Sequence, residues 1–465
     1  MNCRKPSYSV MTGVLVCIMA SCAPTPPLAG SGLAAAGLPV VGTASAQDSP
    51  CFRGPSRNGT YPDATIRTNW KEKPPKILWR KDVGYGFSSV VVAGNKIVTA
   101  GYAADGAKSA VYCFNADTGA QIWRTEYADT RGGPRGKVPV SGPVATPVID
   151  GDRVYMVAVM GALYCMDLND GSNVWVKITN ADGGKCGEFG DGAPPVIAGD
   201  LVLAHLTTAA GSASWFAFNK NDGSVAWSIP VTTRLGKDED ADRGYSPAGL
   251  CKVSGKSCAL FVSDAAIDCV ELAKGVKMWS HNIADLELRY GPFEEPVFYG
   301  PDKFLLSIWY ANKPSVIAFQ IDSGGLTRIW SSKAIGKGAY SCVVCNGFAF
   351  GYGVEGLNCV DLLNGESKWN WRSSNPRMAR DQGEVILVGD KLVWVASYSG
   401  MLYVGNASSE KSPPLGELKA LNECTKDLKK DKATYNNVVS TAPVFANGRV
   451  YLRSPWGELT CVDVR

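Results

Sequence analysis

The side chains best able to do chemistry in this 465-residue chain are fifteen cysteines and two histidines. Cys342 and Cys345 form a CxxC, a spacing that supports dithiol redox work when a helix terminus or a cation lowers one thiol pKa. Here the motif sits in a β-rich run, Ser341-Cys-Val-Val-Cys-Asn-Gly347, with nothing nearby to lower it. No CxxCH occurs, which excludes covalent c-type haem attachment. His205 and His281 are too few for a histidine-based metal site, and no Ser-His-Asp arrangement can be assembled around them. The sequence therefore nominates no catalytic residue and no metal ligand. Binding chemistry is better represented. Polar, glycine-rich segments such as Arg131-Gly-Gly-Pro-Arg135, Asp242-Arg-Gly-Tyr245 and Arg289-Tyr-Gly-Pro-Phe-Glu-Glu295 recur at regular distances. Arg135, Arg243, Tyr245, Arg289 and Glu294 are the candidate binding residues, arginine and tyrosine being suited to anchoring a partner. Pairing among themselves around a water-filled channel is the competing use.

The elements that must position these segments follow from a tryptophan repeat. Trp123, Trp175, Trp227, Trp279, Trp330 and Trp369 lie 52, 52, 52, 51 and 39 residues apart, and all but Trp330 come four residues after a glycine. A fixed period of this length marks an array of equivalent supersecondary units. The second unit shows the grammar: Thr146-Pro-Val-Ile-Asp-Gly-Asp-Arg-Val154, then Gly161-Ala-Leu-Tyr-Cys-Met-Asp167, then Asn169-Asp-Gly-Ser-Asn-Val-Trp175. Short β-rich runs split by Gly, Asn and Asp turns read as a four-stranded meander. One such sheet cannot bury both faces, so the units are expected to stack radially as an all-β, eight-bladed β-propeller with a wedging tryptophan per blade. First strands are placed near Ser88, Thr146, Pro194, Pro247, Pro296, Ser341, Glu384 and Thr441. The seventh unit has Ala420 where its tryptophan belongs, and the eighth stops after three strands. Residues 77–83 supply the missing strand and close the ring, which removes open sheet edges. Residues 51–76, opening with Phe52-Arg-Gly-Pro-Ser-Arg57-Asn-Gly59, form an N-terminal arm that packs against it.

A net charge of +4 and the lack of basic runs with interleaved aromatics give nucleic-acid binding no support. Arg4 and Lys5 precede an apolar stretch, Val10 to Ala20, too short to span a membrane and read as a targeting signal. Met19-Ala-Ser-Cys22 resembles a lipoprotein cleavage box. It would leave residues 1–22 as signal, a lipidated Cys22, and an Ala/Gly/Pro-rich tether over 23–50. Ala44-Ser-Ala46 offers ordinary cleavage after residue 46 instead. Either route predicts export to the periplasm or outer membrane. Export would favour disulfides, yet Cys113, Cys165, Cys269 and Cys359 each fall six residues before the repeat glycine, and Cys461 matches them. A repeated strand position argues for small buried thiols. Cys251 and Cys258 flank a hairpin and could bridge it.

From Cys51 onward the chain resembles the pyrroloquinoline-quinone-like (PQQ-like, quinoprotein-type) β-propeller repeat family. The D-G-D-x-V-Y, L-Y-C-x-D and D/N-x-G-x-x-x-W signatures carry the resemblance, and the entry and closing motifs are similar to bacterial exported BamB-like propellers. One branch of that family consists of quinone-dependent alcohol and sugar dehydrogenases. They hold PQQ with calcium against an adjacent cysteine pair, which this sequence lacks. The other branch is the BamB scaffold of the outer-membrane barrel assembly machinery. The resemblance implies a non-catalytic scaffold binding protein partners in the cell envelope, with no cofactor and with membrane attachment through Cys22. A dehydrogenase-like enzyme with an altered site is the alternative. Carbohydrate binding through funnel tyrosines with Trp309 or Trp456 is a third reading.

Overall fold

The computed structural model describes residues 48–102, 108–127, 142–181, 190–209, 212–232, 245–286, 294–308, 315–336, 341–353, 356–373, 383–396, 399–422 and 441–465. Eight antiparallel four-stranded sheets follow one another, one of them gaining a fifth, parallel strand. Blades 1–8 are named here from their innermost strands: Val91–Ala93, Val148–Asp150, Val196–Ala198, Gly249–Val253, Val297–Phe298, Cys342–Cys345, Gly383–Val388 and Val444–Ala446. Innermost strands of neighbouring blades pack against one another in blades 1–2, 2–3, 5–6 and 6–7. Burial grades outward: Val148–Asp150 is wholly buried, while the outer strand of the same blade, Asn173–Ile178, has no buried residue. Helix is confined, among the described residues, to the single 3-10 turn Ala284–Leu286.

Closure runs as the strand count requires. Lys76–Asp82 pairs antiparallel with Glu458–Asp463 and becomes the outer strand of blade 8, one residue earlier than the expected 77–83. Two arginines of blade 8 then reach into blade 1. Arg453 donates to the carbonyls of Ser88 and Gly84, and Arg449 pairs with Asp117.

The hydrophobic core lies in the seams between blades. Each seam mixes side chains of neighbours, as where Val111 and Trp123 meet Tyr155 and Cys165. The repeated tryptophan acts as an inter-blade staple. Its indole Nε1 donates to a carbonyl of the next blade: Trp79 to Ala116, Trp123 to Leu168, Trp175 to Lys220, Trp227 to Leu272 and Trp330 to Leu362. The repeat glycine lies three residues past that carbonyl with positive φ, 74° at Gly171. A Cβ at Gly171 would sit 2.6 Å from the Trp123 ring, so the close approach and the left-handed backbone both demand glycine. Blade 7 has Ala420 instead of tryptophan, and Trp70 of the arm fills its seam with blade 8, packed over Gly416 in the apolar cluster that holds Ala420, Val462 and Val464.

Candidate functional site

The arm does not lie on the rim of the ring; it enters the axis. Ser49 exchanges backbone hydrogen bonds with Val92 of blade 1 at 3.0 and 2.8 Å, and the carbonyl of Pro50 accepts from Ile149 N of blade 2. Thr60–Tyr61 then runs parallel beside Leu387–Val388 as the fifth strand of blade 7. Such strand addition satisfies inner-strand backbone groups that a bare axis would leave to water. Between these anchor points the chain turns tightly. Arg53 and Arg57 adopt positive φ, 61° and 57°, and Gly59 comes so close that a Cβ there would lie 2.6 Å from an Arg53 guanidinium nitrogen. The spacing of Phe52-Arg-Gly-Pro-Ser-Arg-Asn-Gly59 thus aims two guanidinium groups into the ring.

Arg53 is 1% exposed. It donates to Ser341 Oγ, to the Cys342 carbonyl at 2.6 Å and to the Asn58 carbonyl at 3.2 Å. Arg57 donates to the Ala248 carbonyl and pairs with Glu295 at 3.1 Å. The arm therefore ties together blades 1, 2, 4, 5, 6 and 7. Three carboxyl groups meet this pair of cations: Glu294 and Glu295, just before blade 5, and Glu384 of blade 7, all buried. Burial pushes the Glu294 pKa up to about 8, with Arg53 opposing and Glu295 adding to the rise. Burial and the neighbouring Glu294 raise Glu384 well above the usual range, against Arg53 and a backbone hydrogen bond from Ser341. Glu295 is raised by burial and held back by Arg57. One Glu294 oxygen, Oε2, has no hydrogen-bond partner among the described residues. Three buried carboxyls face two guanidiniums, and burial favours the neutral form of Glu294 and Glu384.

Of the sequence-nominated residues, Glu294 lies in this cluster. Tyr245 is buried, and its ring fills the space beside Gly192 ahead of blade 3. Arg135, Arg243, Arg289 and Cys22 lie outside the described residues. In the sequence Glu384 marks only a strand start, and nothing in its local pattern signals a buried acid. Arg53 and Arg57 were visible as part of an unusually specific motif, without any sign of what they contact. His205 is a packed core residue: burial pushes it down to about 4, and its ring meets Trp215 edge-on at 5.2 Å. His281 is likewise lowered by burial and packs near Phe319. Cys342 is pushed up to about 12 by burial and Cys345 is raised by burial, the reverse of what a redox CxxC needs. Among the described residues no group of three or more His, Cys, Asp or Glu is arranged to hold a metal ion. With no adjacent cysteines in the sequence and arginines in the axial cluster, the residues present do not fit a quinone–calcium site of the dehydrogenase type.

Residues 70–289 match a family model described as outer membrane protein assembly factor BamB. The BamB of Yersinia pestis is 27% identical over 165 residues, which are 34% of this chain and 37% of that protein. The match thus spans about a third of the relative's length. Among solved structures, BamB from Moraxella catarrhalis superposes with a TM-score of 0.56 at 14% identity, covering 84% of this chain and 97% of that one. The quinohemoprotein alcohol dehydrogenase of Comamonas testosteroni superposes with a TM-score of 0.58, also at 14% identity, covering 90% and 80%. At that identity the structural likeness shows the fold alone.

Proposed function

Because the chain is an eight-bladed, BamB-like propeller of PQQ-type repeats, we propose that it is a non-catalytic scaffold that binds protein partners in the cell envelope. The observation that carries this reading is the arm in the axis. Where a ring of this kind could offer an axial cavity to a small ligand, this chain places its own backbone and the Arg53 and Arg57 side chains. What remains for recognition is the outer surface of a rigid ring, a broad platform suited to macromolecules. Export and a lipid on Cys22 belong to the same proposal and would keep the ring at a membrane surface. The name of the matched relatives, an outer membrane protein assembly factor, points to the same compartment.

A dehydrogenase-like reading draws on one observation, the buried Glu294 with an unpartnered Oε2 and a raised pKa, near Glu384. The two are separated by titrating the purified protein with PQQ and calcium while following tryptophan fluorescence and dye-linked alcohol oxidation. No saturable binding at high micromolar PQQ, together with capture of envelope proteins by the immobilised ring, is the expected result. Turnover abolished by Glu294→Gln would overturn the scaffold reading.

A further inference from the structure

Blades 1, 2, 6 and 8 each bury one cysteine at the same place on the third strand: Cys113, Cys165, Cys359 and Cys461. Blade 4 keeps its equivalent, Cys269, and adds two more thiols on the two strands inside it. Cys251 and Cys258 stand directly opposite each other in the antiparallel ladder. Cys269 lies opposite Leu260, two residues from Cys258 on the same face. All three are within the apolar seam against blade 5, at most 3% exposed. The Cys258 Sγ also lies 3.4 Å from Met278 Sδ.

The Cys251–Cys258 pair marks a departure from the repeat. In blades 1, 2, 3 and 8 the first hairpin ends at the equivalent register position, with the pairs Ala93↔Lys96, Asp150↔Arg153, Ala198↔Leu201 and Ala446↔Arg449. Blade 4 continues past it through Lys252↔Ser257 and Val253↔Lys256 before turning at Ser254-Gly255. The same seam lacks the usual staple, since Trp279 Nε1 has no partner among the described residues. A longer hairpin in a less tightly held seam therefore carries two facing thiols at the base of its extension.

We propose that Cys251 and Cys258 are a disulfide-forming pair that locks this extended hairpin, with Cys269 left as a thiol. Register selects the partners. Directly opposed residues of an antiparallel pair have Cα atoms roughly 4.5–5.5 Å apart, within disulfide reach, whereas the diagonal Cys258–Cys269 relation puts them at about 7–8 Å. The reaction is thiol–disulfide exchange. Two protein thiols become one S–S bond, and an external disulfide accepts the two electrons and two protons and leaves as two thiols. In the finished fold the Cys258 thiol is raised by its hydrogen bond with Cys269 and by burial. Thiolate is therefore scarce, and the bond forms while the seam with blade 5 is still open.

The test is reduction and unfolding of the whole protein, then refolding in a mixture of oxidised and reduced glutathione. Alkylation under denaturing conditions and tryptic mapping follow. Cleavage after Lys252 and Lys256 separates the two cysteines, so the bond is read as two peptides held together until reduced. The expected outcome is that linked pair, two hydrogens lighter, with Cys269 alkylated. The link survives Cys269→Ser and is lost in Cys258→Ser. Protein folded first and exposed to oxidised glutathione afterwards stays unlinked. Cys258 and Cys269 share one tryptic peptide, so a second cleavage after Phe261 assigns the link to one of them. Full alkylation of Cys251 and Cys258 after oxidative refolding, or a link through Cys269, overturns the proposal.

Discussion

Glu294 brings a carboxyl oxygen without a hydrogen-bond partner into the interior, where burial raises its pKa, Arg53 opposes the rise and Glu295 adds to it. Its folded pKa, about 8, stands above the ordinary glutamate value of 4.5. The folded protein therefore binds a proton that the unfolded chain releases. The stability tied to that proton is complete below about pH 4.5, declines as pH rises through the interval, and is gone above about pH 8, at up to about 1.4 kcal/mol per pH unit. Glu294→Gln keeps the hydrogen-bonding shape and removes the proton. The variant should match wild type in thermal melting near pH 5 and melt higher near pH 8. Equal melting temperatures at both pH values would mean that Glu294 is not protonated in the fold. Arg53 works the other way, as a buried cation whose hydrogen bonds go mainly to carbonyls and a hydroxyl. Arg53→Met should therefore raise the Glu294 and Glu384 pKa values further and steepen the alkaline loss of stability, in addition to loosening the arm.

At the scale of the element, the blade depends on a tryptophan whose ring packs under the next blade's glycine and whose Nε1 meets a carbonyl three residues earlier. Trp123→Phe deletes the 3.0 Å bond to Leu168 and leaves that buried carbonyl short of a donor, costing about 1–3 kcal/mol beyond the change in packing. Trp279→Phe loses no such bond, because Nε1 of Trp279 has no partner. Urea denaturation should show the larger midpoint shift for Trp123→Phe; equal shifts would make the hydrogen bond irrelevant to the staple. The outer strands carry a second device. Pairing register slips at the residue before the tryptophan in most blades, as at Leu78, Ile122, Val174 and Ile329. Bulges of this sort spoil the outer edge for pairing with other chains. This explains why aliphatic side chains can stand exposed there, 43% in the case of Ile122. These features also decide what was legible in the sequence. The Gly-x-x-x-Trp spacing encodes contact between consecutive units, so blade count, strand order and closure could be read directly. Trp70 could not be assigned to the blade 7–8 seam, because the Gly416 it packs over is hundreds of residues away and no local pattern links them. The axial carboxyls were hidden for the same reason. Glu384 becomes chemically meaningful only when Arg53, from the other end of the chain, arrives beside it.

For the whole molecule, one N-terminal segment performs three separable tasks. Residues 48–61 line the axis, Trp70 fills the blade 7–8 seam, and Lys76–Asp82 closes blade 8. All three join sequence positions more than three hundred residues apart in places, and such non-local pairings carry the largest loop-closure cost in folding. Ring closure is therefore expected to come late, after the consecutive blades have formed. A truncation series separates the tasks. A chain starting at residue 48 should behave as the full ring. One starting at residue 68 keeps Trp70 and the closing strand but strips Arg53 and Arg57 from three buried carboxyls, so it should remain monomeric and melt lower, most clearly at alkaline pH. One starting at Val83 also loses Trp79, leaving Gly119 uncovered and Glu458–Asp463 as an open edge strand. That chain should self-associate in light scattering, and a peptide of residues 68–82 supplied in trans should return it to monomer by strand addition. A monomeric Val83 truncation with an unchanged melting temperature would show that the ring holds without its N-terminal clasp, closure then resting on the blade 8–blade 1 seam itself, its apolar cluster and the contacts of Arg449 and Arg453.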